Sequence, residues 1–338
     1  MKHEAVFQLE QMLKTVAPGE LAVVRHGPST QDGPLPAARF SAAAAGKGRV
    51  EMYALFPGIE AAYHAFLADQ IVFHHDASPS VLELFHCRSG RVGWNMRGDT
   101  AIYLGAGDMA AHSTACCADS HMLFPLGYAQ GISFSVDLSC LAAHCPDIVA
   151  EAGVDIGRLQ RMFCDGKPAA VSACPELDRI FAALYTARPE ARRPYLKLKA
   201  QELLLYLNEF QSTWKSPTQY VSQQTERIQE IHRLLTEHPE RRFTIEALSR
   251  RYSINTSTLK EAFKAVYGLP IASYMKEYRA RQAMKLLRET DATVAEIAAQ
   301  MGYETQGKFS KAFKDVAELS PMEYRKLQHG NSKPRTAE

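Results

Sequence analysis

The sequence contains an internal repeat with a period of fifty residues. The segment MGYETQGKFSKAFKDV, residues 301–316, has an earlier counterpart that shares its apolar and basic positions. Upstream of the matching residues the period becomes 49, so the second copy has one extra residue near Glu304. A repeat of this length predicts two copies of one small folded unit. A shift of 50 residues aligns Leu259 with Phe309, Ala262 with Ala312, Phe263 with Phe313, Lys264 with Lys314, Val266 with Val316, Leu269 with Leu319, Tyr274 with Tyr324 and Lys276 with Lys326.

Each copy has the pattern of a helix-turn-helix unit. A short helix carries a small residue, Ser249 or Ala298, and a turn residue follows four positions later, Ser253 or Gly302. A small side chain lets two helices cross closely, and glycine adopts positive φ at low cost. The second helix then carries apolar residues four positions apart. The pattern favours two helix-turn-helix units over two generic helical hairpins.

A long amphipathic helix is predicted between the two units, over residues 270–289. Pro270 stands in its first turn, where the missing N–H costs nothing. A helix of this length extends about 30 Å at 1.5 Å per residue. Successive major grooves on one face of B-DNA lie roughly 34 Å apart. The spacing therefore predicts that both second helices enter the same duplex.

The repeat lies in the basic part of the chain. Residues 226–328 contain 18 Lys and Arg against 14 Asp and Glu, a net charge of +4. The whole chain carries +2, so the remainder carries −2. This excess permits nucleic-acid binding without demonstrating it.

These motifs resemble the AraC/XylS family of transcription regulators over residues 226–328. EIAAQMGYETQGKFSKAFKDVAELSPMEYR is similar to the family signature, and YRARQAMKLL is similar to the family's linker helix, with Arg279, Ala283 and Leu287 at its pattern positions. Glu318 departs from the pattern because the family usually has glycine there. Gly307 departs because a contacting side chain is common there. The resemblance implies binding to double-stranded DNA, with weaker base readout by the second unit.

The two recognition helices are expected to supply the DNA contacts. In the first unit this helix is predicted over residues 256–266, with Leu259 and Phe263 in the core. Gln pairs well with adenine, Lys with guanine, and Glu accepts from cytosine. For Lys308 and Lys311, a phosphate contact or a solvated position is an equal alternative. The predicted contacts are Ser257, Lys260, Glu261 and Lys264 in the first unit, and Gln306, Lys308, Ser310 and Lys311 in the second.

The first two thirds of the chain have a different pattern. A chain of 338 residues exceeds the roughly 250 that one core usually supports, so two domains are expected. Six short β-rich runs between turn residues predict a barrel or sandwich. The predicted fold class is α+β, a cupin-like β-barrel with dimerisation helices followed by an all-α domain. The predicted boundaries are an irregular segment at 1–70, the barrel and helices at 71–210, a linker at 211–225, the DNA-binding domain at 226–328 and a disordered tail at 329–338.

The family plan implies that the β-rich region binds a small-molecule effector. LELFHCRSGRVGWNMRGDTAIYLGAGDM and FPLGYAQGISFSVDL resemble regulators that respond to pyochelin-type siderophores. A siderophore or another metabolite is therefore the expected effector. Trp94 and Tyr103 are the candidate pocket residues because ligand pockets favour aromatic side chains, with a plain core role as the alternative. The same plan implies a homodimer, with RNA polymerase considered as a further partner.

No cofactor and no metal site is predicted. Metal-binding cupins need two histidines one residue apart, whereas His74 and His75 are adjacent and would point to opposite faces of a strand. His86, His112 and His121 are expected to be ordinary strand histidines. The seven cysteines contain no C-x-x-C pair, which predicts buried or free thiols rather than disulfides.

Two other functional classes remain as alternatives. The first is an enzyme, either a cupin enzyme or a DNA-alkylation repair protein, but repair needs a four-cysteine zinc site that these cysteine spacings do not match. The second is an architectural DNA-binding protein without a ligand, which polar readout helices disfavour. The N-terminus lacks the apolar run of a signal peptide, and no run approaches 20 apolar residues. A cytoplasmic protein without membrane contact is expected.

Overall fold

The computed structural model describes residues 2–27, 39–41, 46–74, 77–96, 100–117, 121–165, 168–209 and 220–330. The chain divides into two compact units, Met1–Ser222 and Gln223–Glu338. No helix in these ranges combines the length and the apolar composition that a membrane span requires.

Two β-sheets form the centre of the first unit. The strands are β1 (Leu21–His26), β2 (Arg39–Ser41), β3 (Lys47–Phe56), β4 (Ile59–Leu67), β5 (Gln70–His74), β6 (Val81–Gly90), β7 (Val92–Met96), β8 (Thr100–Leu104), β9 (Met109–Ser113), β10 (His121–Leu123), β11 (Tyr128–Asp137), β12 (Ala169–Val171) and β13 (Tyr220–Val221). The order is β1-β3-β4-β11-β6-β9-β12 in one sheet and β13-β8-β7-β10-β5-β2 in the other. β1 pairs with β3 in parallel, and the other pairs, such as β6 with β9, are antiparallel.

Both faces of the seven-stranded sheet are buried. One face packs against the six-stranded sheet through large side chains that include Phe66, Phe85 and Trp94. The other face is covered by helices, with Phe134 of the sheet packed near Phe181. The helices of this unit are α1 (Lys2–Met12), α2 (Thr114–Cys117), α3 (Leu138–Ala143), α4 (Asp147–Glu151), α5 (Ile156–Leu159), α6 (Pro175–Thr186) and α7 (Arg192–Glu209).

The six predicted β-rich runs all form strands, namely β5, β6, β7, β8, β10 and β11, and the helices predicted before residue 210 include α6 and α7. The predicted irregular segment at 1–70 is wrong, because it contains α1, β1, β3 and β4. β4 includes Ala61, Ala62 and Ala65, which are buried on both faces of the sheet. Alanine has weak strand propensity and burial on both faces removes the polar alternation, so this strand has no clear sequence signal.

The closed cupin-like barrel is not formed by the described strands, which make two separate sheets. The broader α+β prediction holds, because a sheet-rich first unit precedes a helical second unit. Part of the predicted linker, residues 211–219, lies outside the described residues, and residues 222–225 already belong to a helix. Of the predicted tail, residues 331–338 lie outside the described residues. None of the seven cysteines forms a disulfide bond, and Cys87, Cys117 and Cys164 are buried.

Seven helices build the described part of the second unit, and they reproduce the repeat. The third and sixth of these helices start and end 50 residues apart, and the second and fifth lie 49 residues apart, so the extra residue falls in the second turn. The helices are α8 (Ser222–Glu237), α9 (Ile245–Arg251), α10 (Thr256–Tyr267), α11 (Ile271–Glu289), α12 (Val294–Gln300), α13 (Gln306–Ala317) and α14 (Pro321–Gly330).

Local capping explains where these helices begin. Thr244 caps α9 by accepting a hydrogen bond from the Ala247 N–H at 3.1 Å. Thr293 caps α12 in a reciprocal capping box with Glu296. Pro270 stands just before α11 rather than in its first turn. Such caps satisfy N–H groups that have no partner inside the helix.

Candidate nucleic-acid interface

Buried aromatic and aliphatic residues orient the two recognition helices, α10 and α13. Leu259 and Phe263 are fully buried on α10, and Phe309 and Phe313 hold the corresponding positions on α13, as predicted. Because residues four apart share one face of a helix, these anchors leave the opposite face in solvent. The exposed residues on α10 are Ser257, Lys260, Glu261 and Lys264, and those on α13 are Gln306, Lys308 and Lys311, with Ser310 half-buried.

The bend between the two helices of each unit requires a left-handed backbone conformation. Ser253 has φ of 50° in the first unit, and Gly302 has φ of 72° in the second. A side-chain Cβ at position 302 would lie 2.2 Å from the carbonyl oxygen of Glu240. Glycine is therefore required at this bend by both conformation and close packing. Ser253 occupies the equivalent bend at some conformational cost.

The N-terminus of α10 is organised by Asn255. Its side-chain oxygen accepts a hydrogen bond from the Thr258 N–H at 2.7 Å and another from the Ser257 hydroxyl at 2.8 Å. The Ser257 hydroxyl therefore supports the helix cap in addition to facing solvent. Helix N-termini attract anions because their N–H groups and the helix dipole point outward. This end of α10 is suited to a phosphate.

Lys308 forms an ion pair with Glu304, which lies in the turn before α13. The hydrogen bond from Lys308 and its positive charge lower the pKa of Glu304, so the carboxylate stays ionised. The positive charge of Lys308 is therefore partly neutralised by a neighbouring carboxylate. The spacing of four residues could have revealed the pair in the sequence, since residues at i and i+4 are neighbours on a helical path.

A second ion pair holds α13 against α11. Lys276 Nζ lies 2.6 Å from Asp315 Oδ2, and this hydrogen bond is the main reason that the pKa of Asp315 is lowered. Lys311 is exposed one turn before Asp315 on the same helix. The recognition helix is therefore tied to the linker helix while Lys311 stays on the solvent side.

Arginine side chains hold the loop that precedes each helix-turn-helix unit. Arg279 on α11 donates to the carbonyl oxygens of Pro239 at 2.7 Å and Arg241 at 2.9 Å. Burial lowers the pKa of Arg279, which still carries its charge. Arg325 on α14 donates in the same way to the carbonyl oxygen of Ala292. In both units, the helix after the recognition helix thus anchors the loop before the unit.

The predicted effector residues lie in the first unit. Trp94 is 4% exposed and packs edge-to-face on Phe85, with ring centroids 5.1 Å apart, so it occupies the core between the two sheets. The Tyr103 ring lies against Gly93. A role for Trp94 and Tyr103 in effector binding stays a prediction.

The histidines weighed as metal ligands have different surroundings. His86 stacks on Phe181 with ring centroids 4.0 Å apart, and its Nδ1 lies 2.9 Å from the Tyr185 hydroxyl. Burial lowers the pKa of His86 to about 4, so the ring is neutral near pH 7. His121 is exposed on β10. His75 and the His74 side chain lie outside the described residues.

Comparisons with known proteins find similarity in the second unit. Residues 248–327 match a family model described as a helix-turn-helix domain. An AraC-like transcription regulator of Streptomyces lividans is 38% identical over 88 residues, which cover 26% of this chain and 29% of that protein. The F1 operon positive regulatory protein of Yersinia pestis is 38% identical over 79 residues, covering 23% of this chain and 24% of that protein.

Among solved structures, the DNA-binding domain of the global transcriptional factor AdpA in complex with a target DNA aligns with a TM-score of 0.30 and 24% identity. That alignment covers 31% of this chain and 95% of the AdpA domain. The chain spans less than a third of the length of the two curated relatives described above. Residues 248–327 therefore form a helix-turn-helix domain of the kind found in AraC-like transcription regulators.

Proposed function

We propose that the protein is a sequence-specific DNA-binding transcription regulator, and that its first unit binds a small-molecule effector. The duplicated helix-turn-helix unit carries this proposal, since both copies place polar residues on the solvent face of the recognition helix. A single unit of this kind reads one major groove, and two units read two.

The linker helix supports simultaneous binding of both units. α11 has 19 residues and extends about 28 Å at 1.5 Å per residue. Successive major grooves on one face of B-DNA lie roughly 34 Å apart. We therefore propose that α10 and α13 bind successive grooves. Lys260 and Lys311 are the base-reading lysines in this arrangement, and Lys264 contacts phosphate.

A cavity of about 400 Å³ in the first unit, with a largely apolar lining that includes three arginines, supports effector binding. Residues of α1 line one side, and side chains of the seven-stranded sheet and of α6 and α7 line the other. Tyr63 lies on the helix-covered face of the sheet, whereas Trp94 packs on the opposite face. The effector site proposed here is therefore distinct from the predicted barrel interior.

The charge of this cavity favours an anionic effector. Glu51 pairs with Arg49 at 2.8 Å and with Arg192 at 2.6 Å, while Arg88 lies over the Tyr185 ring at 4.6 Å. Three guanidinium groups and one carboxylate line the cavity, so it has excess positive charge. Arginine forks bind carboxylate and phosphate groups well. We propose a small carboxylate- or phosphate-bearing metabolite, a class that includes carboxylate siderophores.

Exposed apolar side chains on α7 support a homodimer. Tyr195 is 42% exposed and Leu198 is 58% exposed, three positions apart on one face of the helix. Large apolar residues grouped on a surface are typical of protein interfaces. We propose that this face of α7 contributes to dimerisation. Light scattering of the protein and of a Leu198→Lys variant measures the change in mass.

DNA binding is tested with the full chain and a fluorescent duplex of the DNA upstream of its own gene. We expect saturable binding that weakens with salt, and tighter binding than to a random duplex of equal length. Binding of equal strength to both duplexes would contradict sequence specificity. Absence of binding even at low salt would contradict the proposed function.

Effector binding is tested separately by thermal unfolding with a panel of anionic metabolites and ferric siderophores. A ligand of the cavity should raise the unfolding midpoint of the wild-type protein and lose at least tenfold in affinity in an Arg88→Gln variant. Arg179→Gln on α6 is the matched control, because Arg179 is exposed and does not line the cavity. An equal loss in both variants would place the ligand elsewhere.

A further inference from the structure

We infer that the first unit contains a binding site for a transition-metal ion of the zinc class, formed by Glu83, His112 and Cys117. One potential ligand atom from each residue lies within 4.8 Å of the others. This site goes beyond the proposed function, since neither DNA binding nor the arginine-lined cavity requires it.

The backbone brings these residues together from three elements. Glu83 on β6 and His112 on β9 stand directly opposite each other in the antiparallel pair, so their side chains share one face of the sheet. Cys117 ends α2, the short helix that follows β9 without a gap. Its sulfur lies 3.9 Å from a Glu83 carboxylate oxygen.

These distances are close to those around a bound metal. Zinc binds Cys, His and carboxylate ligands at about 2.0–2.3 Å, so the ligand atoms of a tetrahedral site are separated by roughly 3.3–3.8 Å. The sulfur–oxygen distance of 3.9 Å is nearly at that separation. Side-chain movements of less than about 1 Å would bring the other two pairs of ligand atoms to this separation.

The His112 ring is oriented as in many metal sites. Its Nδ1 lies 3.2 Å from the carbonyl oxygen of Ser113. A carbonyl oxygen can only accept, so Nδ1 carries the hydrogen and Nε2 carries the lone pair that binds a metal. A backbone carbonyl that fixes the tautomer of a metal-binding histidine is a common supporting interaction.

Burial and donor chemistry select the ion. His112 is 1% exposed, Cys117 is 3% exposed, and the Trp94 ring packs edge-on to His112 with centroids 6.2 Å apart. One thiolate, one imidazole and one carboxylate suit zinc or cobalt and disfavour magnesium or calcium, which prefer oxygen ligands alone. Three protein ligands leave a fourth position for water or another small ligand.

The cluster was invisible in the sequence because its members are not at a recognised metal spacing. Cys117 is 34 residues from Glu83, and strand pairing rather than sequence proximity joins them.

The test follows cobalt(II) binding to metal-free full-length protein, because a cobalt–thiolate bond produces a charge-transfer absorption band. We expect one cobalt ion per chain, a thiolate band, and displacement of cobalt by zinc.

Cys117→Ser should abolish the thiolate band, and Glu83→Gln should weaken binding by about tenfold or more. Cys116→Ser is the matched control, because the Cys116 sulfur lies beside the Ser113 hydroxyl at 3.4 Å and is outside the proposed ligand set. It should leave the band unchanged. Far-ultraviolet circular dichroism verifies that each variant is folded.

The cobalt titration of the wild-type protein tests the proposed metal site even if a variant does not fold. A wild-type protein without a thiolate band would overturn the site. So would a band that survives in folded Cys117→Ser or disappears in folded Cys116→Ser, because the thiolate would then come from another cysteine.

Discussion

The two helix-turn-helix units share one backbone but satisfy it with different residues. At the bend the first unit has Ser253 and the second has Gly302, both with positive φ. At the end of the recognition helix the order is reversed, with Gly268 in the first unit and Glu318 in the second. At its two positions with positive φ, each unit therefore contains one glycine and one residue other than glycine. The fold imposes the same backbone conformation on both units, and local packing decides which residue type occupies each position.

The solvent faces of the two units differ more than their cores. Glu261 on α10 corresponds to Lys311 on α13, so one position has opposite charge in the two copies. Ser257 corresponds to Gly307, which adds no side chain to the second face. Lys308 is already paired with Glu304. The repeat therefore preserves the scaffold and varies the surface proposed to read DNA.

The largest expected effect comes from giving the second bend a side chain. Gly302→Ala should destabilise α12 and α13 by about 3 kcal/mol, because alanine is strained at positive φ and its Cβ would overlap the Glu240 carbonyl oxygen. Hydrogen exchange of the α13 amides measures this free energy. Ser253→Ala is the matched control in the first unit and should change stability by less than about 0.5 kcal/mol. An equally small effect at both bends would show that neither the left-handed strain nor the overlap with Glu240 destabilises the Gly302→Ala variant.

The next prediction separates the lysines of α13. Lys311→Ala should weaken binding to the operator by about 1–3 kcal/mol if Lys311 contacts a base. Lys308→Ala should weaken DNA binding by less than about 1 kcal/mol, since Lys308 already pairs with Glu304 in the protein without DNA. Fluorescence anisotropy at fixed salt measures both affinities.

Glu304→Gln provides the control for this pair, because it releases Lys308 without removing it. Tighter DNA binding by Glu304→Gln would support competition between Glu304 and DNA for Lys308. For Lys260 and Lys311, equal weakening on operator and random duplexes would reassign the lysine to a phosphate contact.

Lowering the pH should destabilise the first helix-turn-helix unit more than the second. His232 stacks on Tyr267 and lies 2.6 Å from the Tyr274 hydroxyl, and burial lowers its pKa from 6.5 to about 4. Between these values the unfolded state binds a proton that the folded state excludes, so stability falls as pH decreases. The loss between pH 7 and pH 5 should be about 2 kcal/mol. The corresponding tyrosine of the second unit, Tyr324, packs edge-on to Phe313, just as Tyr274 packs edge-on to Phe263, so the stacked histidine is the added feature of the first unit.

Hydrogen exchange of α10 and α13 amides at both pH values measures this difference. We expect the larger loss in α10. His232→Phe retains an aromatic ring and removes the titration, so it should abolish the extra loss. Persistence of the pH dependence in a folded His232→Phe variant would assign it to another group.

The smallest expected effect is a stabilisation. Glu318 has φ of 63° at the end of α13, where Gly268 has φ of 81° at the end of α10. Glu318→Gly should therefore stabilise the second unit by about 1 kcal/mol, because glycine removes the left-handed strain. Gly268→Ala should destabilise the first unit by a similar amount. Thermal unfolding of both variants, supported by exchange in α10 and α13, measures the changes.

Much of the second unit could be predicted because its signals are local. Thr244 at a helix start, Ser253 and Gly302 at the bends, and anchors such as Phe309 and Phe313 lie within a few residues of what they determine. The position of the extra residue followed from the change of period. Lys308 is exposed on the solvent face of α13, but its pairing with Glu304 was missed although the spacing of four residues could have indicated it.

In the first unit, prediction succeeded for individual strands and failed for their assembly. The run VLELFHC forms part of β6, yet β4, its neighbour across β11, was hidden by alanines. Which strands pair is decided by contacts between residues distant in sequence. The polar surface around Arg88 and Arg192 likewise comes from a strand and a helix that the sequence separates by about a hundred residues.

Local sequence signals specify a duplicated helix-turn-helix scaffold, its register and the solvent-facing residues, because helical periodicity and turn residues act over four to seven positions. Only the tertiary structure decided that the strands form two sheets and that Glu83, His112 and Cys117 meet. Strand pairing uses backbone hydrogen bonds that are the same for every residue, so the partners are selected by packing across the whole unit.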